Sequence, residues 1–166
     1  MQKIKPTALL YKVRKSVSEI LNKPFTERIN HQIFQPDKRI LAFWAADCAE
    51  HVLPFFQVKY PNDARPLRAI ETCRRWAVNG VFKMVDIRMA SLDAHAAAKI
   101  AKEDDARFAA HVAGQAVGTA HVPTHSLGAS VYGIRAAAAH SGFTEERLVE
   151  EYNWQMKRLR HYAKTS

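Results

Sequence analysis

Four of the chain's eight histidines, His95, His111, His121 and His125, fall between Asp93 and Tyr132. Imidazole ligates transition metals and moves protons near neutral pH, so this stretch is the first place where chemistry could sit. His121 and His125 are four apart, the spacing that sets two ligands on one face of a helix. With Asp93, His95 and His111 they would make up a zinc- or iron-type set, and the alternative function is then a metal-dependent hydrolase, provided that the five side chains converge. Pro123 lies between the two histidines and marks a helix junction, because the residue before a proline avoids the helical region. The competing reading makes the imidazoles polar partners inside a helical core, bonding carbonyls or neighbouring side chains. That reading is favoured, and the expectation is no metal and no cofactor.

A second cluster is Asp47, Glu50 and His51. A carboxylate beside a histidine can do general acid–base work. The structural alternative pairs Asp47 with an arginine of the next helix, such as Arg68 or Arg75, which would fix how two helices meet. Shifted carboxylates are often structural, and this alternative is favoured. No nucleotide-binding loop, nucleophile elbow, HExxH or paired-cysteine motif is present. Thr124, Ser126 and Ser130 stand near the histidines without the context of a nucleophile. No catalytic residue is assigned.

The elements that must position these groups are all helical. Leu9, Leu10, Val13, Val17, Ile20 and Leu21 recur at three- and four-residue steps and predict a first helix over Thr7–Leu21. Prolines bracket Asn22–Pro36, which reads as an irregular connector. Asp37 is placed as the cap of a long second helix with Ile40, Leu41, Trp44, Cys48, Val52 and Phe55 facing inward. Pro54 should kink or break it near His51. Pro61-Asn62-Asp63 is a turn. Pro66 opens a third helix, with Leu67, Ile70, Cys73 and Ala77 inward, and Gly80 stops it. A fourth helix is expected over Val81–Lys102 and a fifth from Asp104 or Asp105 to about Ala120. A sixth runs from His125 to His140 and a last begins after Thr144, burying Leu148, Tyr152, Met156 and Leu159. No stretch alternates with period two. The expectation is an all-α fold: one domain over residues 1–166, a bundle of about seven helices with mostly antiparallel neighbours. Within it, residues 1–36 are a basic helix and connector, and residues 37–163 the helical core.

Glycine is a poor helix former and alanine the best. The sequence AHVAGQAVGTAH around His111–His121 therefore gives up local stability for close approach by its neighbours. Trp44, Trp76 and Trp154 sit at helical spacing among apolar residues and read as core. Cys48 and Cys73 read as buried small hydrophobes. No apolar run approaches the ~20 residues of a membrane span, and the N-terminus lacks the features of a secretory signal. A cytoplasmic location is the expectation. The net charge of +9 is concentrated at the start, where residues 1–39 carry nine Lys/Arg against three acids. Such a segment could steer toward nucleic acid, an anionic surface or an acidic protein, but the reading as a solvated basic face is favoured. Nucleic-acid binding is not favoured, since basic residues are scattered and no single recognition helix stands out.

Three segments carry a resemblance: RILAFWAADCAEHVLPFF (Arg39–Phe56), RPLRAIETCRRWAVNG (Arg65–Gly80) and AGQAVGTAHVPTHSLGASVYGI (Ala113–Ile134). Their order and spacing over Pro36–Ile134 are similar to a bacterial immunity-protein family, small all-helical cytoplasmic proteins associated with toxin systems. Trp44-Ala-Ala-Asp47-Cys-Ala-Glu50, Arg65-Pro-x-x-Ala-Ile-Glu71 and Thr119-Ala-His121-Val carry most of the match. Gln115 departs from it, standing where a histidine is expected in relatives. The resemblance implies a binder that neutralises a cognate toxin or another bacterial protein. Asp47, Glu50, Arg68, Glu71, His121 and His125 are the candidate binding residues.

Overall fold

The computed structural model describes residues 5–22 and 36–165. Among them the regular elements are seven α-helices: α1 (Pro6–Leu21), α2 (Pro36–Gln57), α3 (Arg65–Asn79), α4 (Met84–Ile100), α5 (Asp104–Gly118), α6 (His125–His140) and α7 (Glu145–Thr165). No strand occurs among the described residues. Residues 23–35, most of the expected connector, lie outside them, as do the side chains of Pro36 and Asp37. The all-α expectation holds, and α6 begins and ends where the sequence places it.

Local chemistry explains most boundaries. Pro66 lies in the first turn of α3, where its missing N–H costs nothing. Gly80 ends that helix at φ 70°, a left-handed backbone that favours glycine, and its N–H donates to the Trp76 carbonyl at 2.8 Å. Four expectations need correction. The break near His51 does not occur: α2 runs through Pro54 to Gln57. Pro54 withholds one N–H, and the helix continues three residues past it. The fourth helix is shorter than Val81–Lys102, because residues 81–83 after Gly80 are not helical. Phe56, not Phe55, completes the inner stripe of α2, and Leu10 is 42% exposed on α1. Four residues on from Val52 returns the helix to its buried face at Phe56, whereas Phe55 lies beside that face and stacks on His140 at 4.0 Å.

Two helices form the centre. α2 packs against α3, α5, α6 and α7, and α5 against α2, α3, α4 and α6. From α2 onward each helix also packs on the next, as short connections require. α1 lies across α6 and α7 through Leu9, Val13 and Val17. Trp44, Leu41, Phe56, Ile70 and Ile134 are fully or almost fully buried, each stabilising the fold by roughly 1.5–3 kcal/mol. Cys48 and Cys73 are buried free thiols, and burial pushes Cys73 up to about 12.

Eleven of the fifteen residues of α5 are buried, which a helix reaches only when neighbours wrap nearly all of it. Small residues make that room, and the glycines do something more specific. A Cβ at Gly114 would meet the imidazole edge of His95 at 2.8 Å. The glycine holds space for a side chain of α4, not merely for its backbone. Exchanging a helical glycine for alanine normally gains about 1 kcal/mol. Here Gly114→Ala should instead destabilise by about 1–3 kcal/mol through overpacking. Adding His95→Ala should cancel most of that coupling, read by urea denaturation of the four variants in a double-mutant cycle.

Candidate functional site

Asp47 is a buried carboxylate shared by three helices. It is 7% exposed on α2, and burying a carboxylate demands donors. Arg74 of α3 donates to Oδ1 through Nη2 at 2.5 Å. Arg158 of α7 donates to Oδ2 through Nε at 2.8 Å, and the Tyr162 hydroxyl donates to the same oxygen at 2.9 Å. The arginine expected opposite Asp47 was Arg68 or Arg75; the structure puts Arg74 there. Arg74 also grips Glu50, Nε to Oε1 at 2.9 Å and Nη2 to Oε2 at 2.6 Å. Burial works against its charge, but the hydrogen bonds to Glu50 and Asp47 outweigh it and hold the guanidinium above its ordinary pKa. Burial first, and then the bond to Asp47, raises the Tyr162 phenol. Asp47 and Glu50 thus meet as intended, with their charge spent on tying α2 to α3 and α7.

A second buried carboxylate lies next to this cluster. Glu151 of α7 is 4% exposed. It accepts from His51 Nδ1 at 2.9 Å and from Gln155 Nε2 at 3.0 Å. Gln155 Oε1 accepts the Ser130 hydroxyl at 2.5 Å, and the Gln155 carbonyl accepts Trp44 Nε1–H at 2.8 Å. The His51 ring stacks on Trp154, centroids 3.8 Å apart. Sequence reading found His51 and missed Glu151 and Gln155. The available signal was their place inside the Leu148–Leu159 apolar stripe, at 151 and 155, where a purely solvated pair would not fall.

The histidines gather in pairs around α5. His95 and His111 share a hydrogen bond between their Nδ1 atoms at 2.8 Å. One nitrogen must donate and the other accept, so at most one of the two Nδ1 atoms carries hydrogen. The His111 ring stacks on Tyr132 at 4.9 Å. His125 Nδ1 donates to Gln115 Oε1 at 2.7 Å, and a Cβ at Gly128 would collide with that same oxygen at 2.6 Å. Burial lowers all three imidazoles. For His111 the neighbouring His95, Arg107, Arg135 and Lys99 add to it, and its pKa falls to about 4. His95 is lowered further by His125 and Lys99, and His125 by His121. Asp93 is not part of this group. It is exposed on α4, and residues two apart on a helix, like Asp93 and His95, point to nearly opposite sides. Among the described residues no three His, Cys, Asp or Glu side chains stand close enough to hold a metal ion. His121 is half-buried at the α5–α6 junction.

Arg68 and Glu71 are exposed on α3. Arg68 lines an open groove of about 540 Å³ with Thr72, Arg75, Asp86 and Asp93. The six candidate binding residues therefore fall in three places: Asp47 with Glu50, the outer side of α3, and the α5–α6 junction.

Residues 31–162 match the family model described as "Imm-5 like putative immunity protein". The chain belongs to this immunity-protein family. The match extends past the Pro36–Ile134 segment of the sequence resemblance and includes all of α2–α6 and most of α7. No match is found among curated proteins or solved structures. The Asp47, Glu151 and histidine clusters all lie within the Imm-5 like region, whereas α1 precedes it.

The depressed imidazoles give this member of the family a defined acid response. Below about pH 6.5 the unfolded chain takes up protons that the folded chain refuses until about pH 4. Stability is therefore fully present above pH 6.5 and falls progressively towards pH 4. Chemical denaturation between pH 7.5 and 4.5 should show this slope, and His111→Gln should flatten it.

Proposed function

We propose that this protein protects its host by binding a cognate toxin through surface contacts, without catalysing a reaction. The family match over residues 31–162 carries the reading. Two features of the chain support it. Most of the carboxylates and imidazoles that sequence alone would nominate for catalysis already have partners: Asp47 the arginines Arg74 and Arg158, His51 Glu151, His95 His111, and His125 the amide of Gln115. The surface is strongly basic, at a formal +9, which speeds encounter with an acidic partner surface. No described helix is long and apolar enough to cross a membrane.

Within this reading α1 is the recognition element. It lies outside the family-matched residues, packs by Leu9, Val13 and Val17, and turns Tyr11, Lys12 and Lys15 outward. Tyr11 is 71% exposed. An exposed tyrosine among basic residues is the side chain most able to anchor a protein partner, because it offers area, a hydroxyl and little entropy to lose. Glu50 and Arg68 contribute at most to the rim.

Co-purification from the native host should recover a protein partner, and expression of the chain should protect cells from that partner. Tyr11→Ala with Lys15→Glu should weaken the complex by about thirtyfold or more at unchanged melting temperature. Recovery of no partner, or protection indifferent to α1, would contradict the proposal. Binding of nucleic acid with a steep salt dependence would replace it.

A further inference from the structure

Seven of the eleven large hydrophobic residues exposed among the described residues lie between Val78 and Ile100. On α4 they are ordered. Val85, Met89 and Leu92 are 61%, 58% and 58% exposed, and with Ala96 they follow spacings of four, three and four. That is the alternation of a coiled-coil seam, here facing away from the protein's own core. α4 packs on α3 and α5 through Ile87, Ala94, Ala97 and Ala98, so the helix is apolar on two opposite faces. Isolated exposed hydrophobics are ordinary, but an ordered stripe along a helix marks a contact surface.

Charge says what covers it. Taking Val85 and Leu92 as d and Met89 and Ala96 as a, Arg88 occupies g, while Asp86 and Asp93 occupy e. The stripe has a basic residue on one edge and acids on the other. We propose that a second copy of this chain docks here, α4 against α4 in parallel about a two-fold axis. In a parallel pair, g of one helix faces the e position five residues later on the other, which sets Arg88 against Asp93 twice. An antiparallel pair would bring like edges together. Within its own chain, Arg88 has no ion pair among the described residues. Asp93 lies near Arg65, which is already committed to Asp63 at 2.6 Å. Val81, 60% exposed just before the helix and lining one groove with Met89, extends the surface toward the ~800 Å² that each partner of a stable interface contributes. The seam spans under two heptads, which points to a reversible dimer with a dissociation constant on the order of 10 µM. This inference does not depend on the toxin-binding reading.

Sedimentation velocity of the full chain, from about 1 to 500 µM, tests it. Monomer–dimer exchange is expected, abolished by Leu92→Glu. Arg88→Asp and Asp93→Arg should each weaken the dimer by about tenfold or more. Mixing those two variants should restore it, because each then offers the charges that the other needs. All the altered side chains are exposed, so circular dichroism and melting temperature should be unchanged. A monomer at every concentration overturns the proposal, as does a dimer indifferent to the charge exchange. Finding a monomer whose Leu92→Glu variant loses toxin protection would also overturn it, assigning the face to the toxin.

Discussion

A carboxylate taken out of water must be surrounded by donors before helices can close over it, and Asp47 is where this constraint shapes the molecule. Its two oxygens collect three donors from two other helices, Arg74 on α3 and Arg158 and Tyr162 on α7. Removing the carboxylate would leave Arg74, Arg158 and Tyr162 without their shared acceptor, a loss softened by the partial exposure of the two arginines. The three helices are thereby fixed in register around α2, which apolar packing alone specifies poorly. Glu151 repeats the arrangement one layer away, with His51 on one side and Gln155 on the other. Lys59 and His140 do the same for Asp105 at the start of α5. There, burial would raise the carboxyl, and the hydrogen bonds from both partners and the Ala106 N–H hold it below its usual range.

The same accounting explains the glycines. Polar side chains inside a helical bundle need volume as well as partners. Gly114 leaves that volume for His95, Gly128 for Gln115 and Gly133 for Gln155, with a Cβ falling 2.6–2.8 Å from each. The Ala/Gly-rich stretch is thus the complement of the histidines within it. Its small residues let α5 be enclosed, and its imidazoles are the groups enclosed.

Helical periodicity made nearly all of the fold legible: apolar positions recur with a clean 3.6 period, and Gly80, Pro66 and Pro123 punctuate it. What escaped were rotational details. Arg74 in place of Arg68 or Arg75, and Phe56 in place of Phe55, are differences of which face of a known helix turns inward, and these depend on the neighbours. Pro54 misled because its effect depends on how many turns follow it. Glu151 and Gln155 were hidden because a polar residue within an amphipathic helix looks solvated unless its partner is known. At the candidate site, the sequence brought Asp47 and Glu50 together correctly and spread the histidine set too widely, since Asp93 and His95 leave opposite sides of one helix.

These features describe a scaffold whose interior carboxylates are satisfied by neighbouring side chains, and whose outer helices, α1 with its exposed tyrosine and lysines and α4 with its apolar stripe, are the surfaces proposed for contact with other proteins. Binding is proposed to be the whole of the activity. Titrating purified toxin with purified protein, and following residual toxin activity, distinguishes a binder from a catalyst most directly. Stoichiometric binding gives a linear loss of activity that ends at one protomer per toxin molecule. Complete inactivation by a small fraction of an equivalent, with turnover, would contradict it.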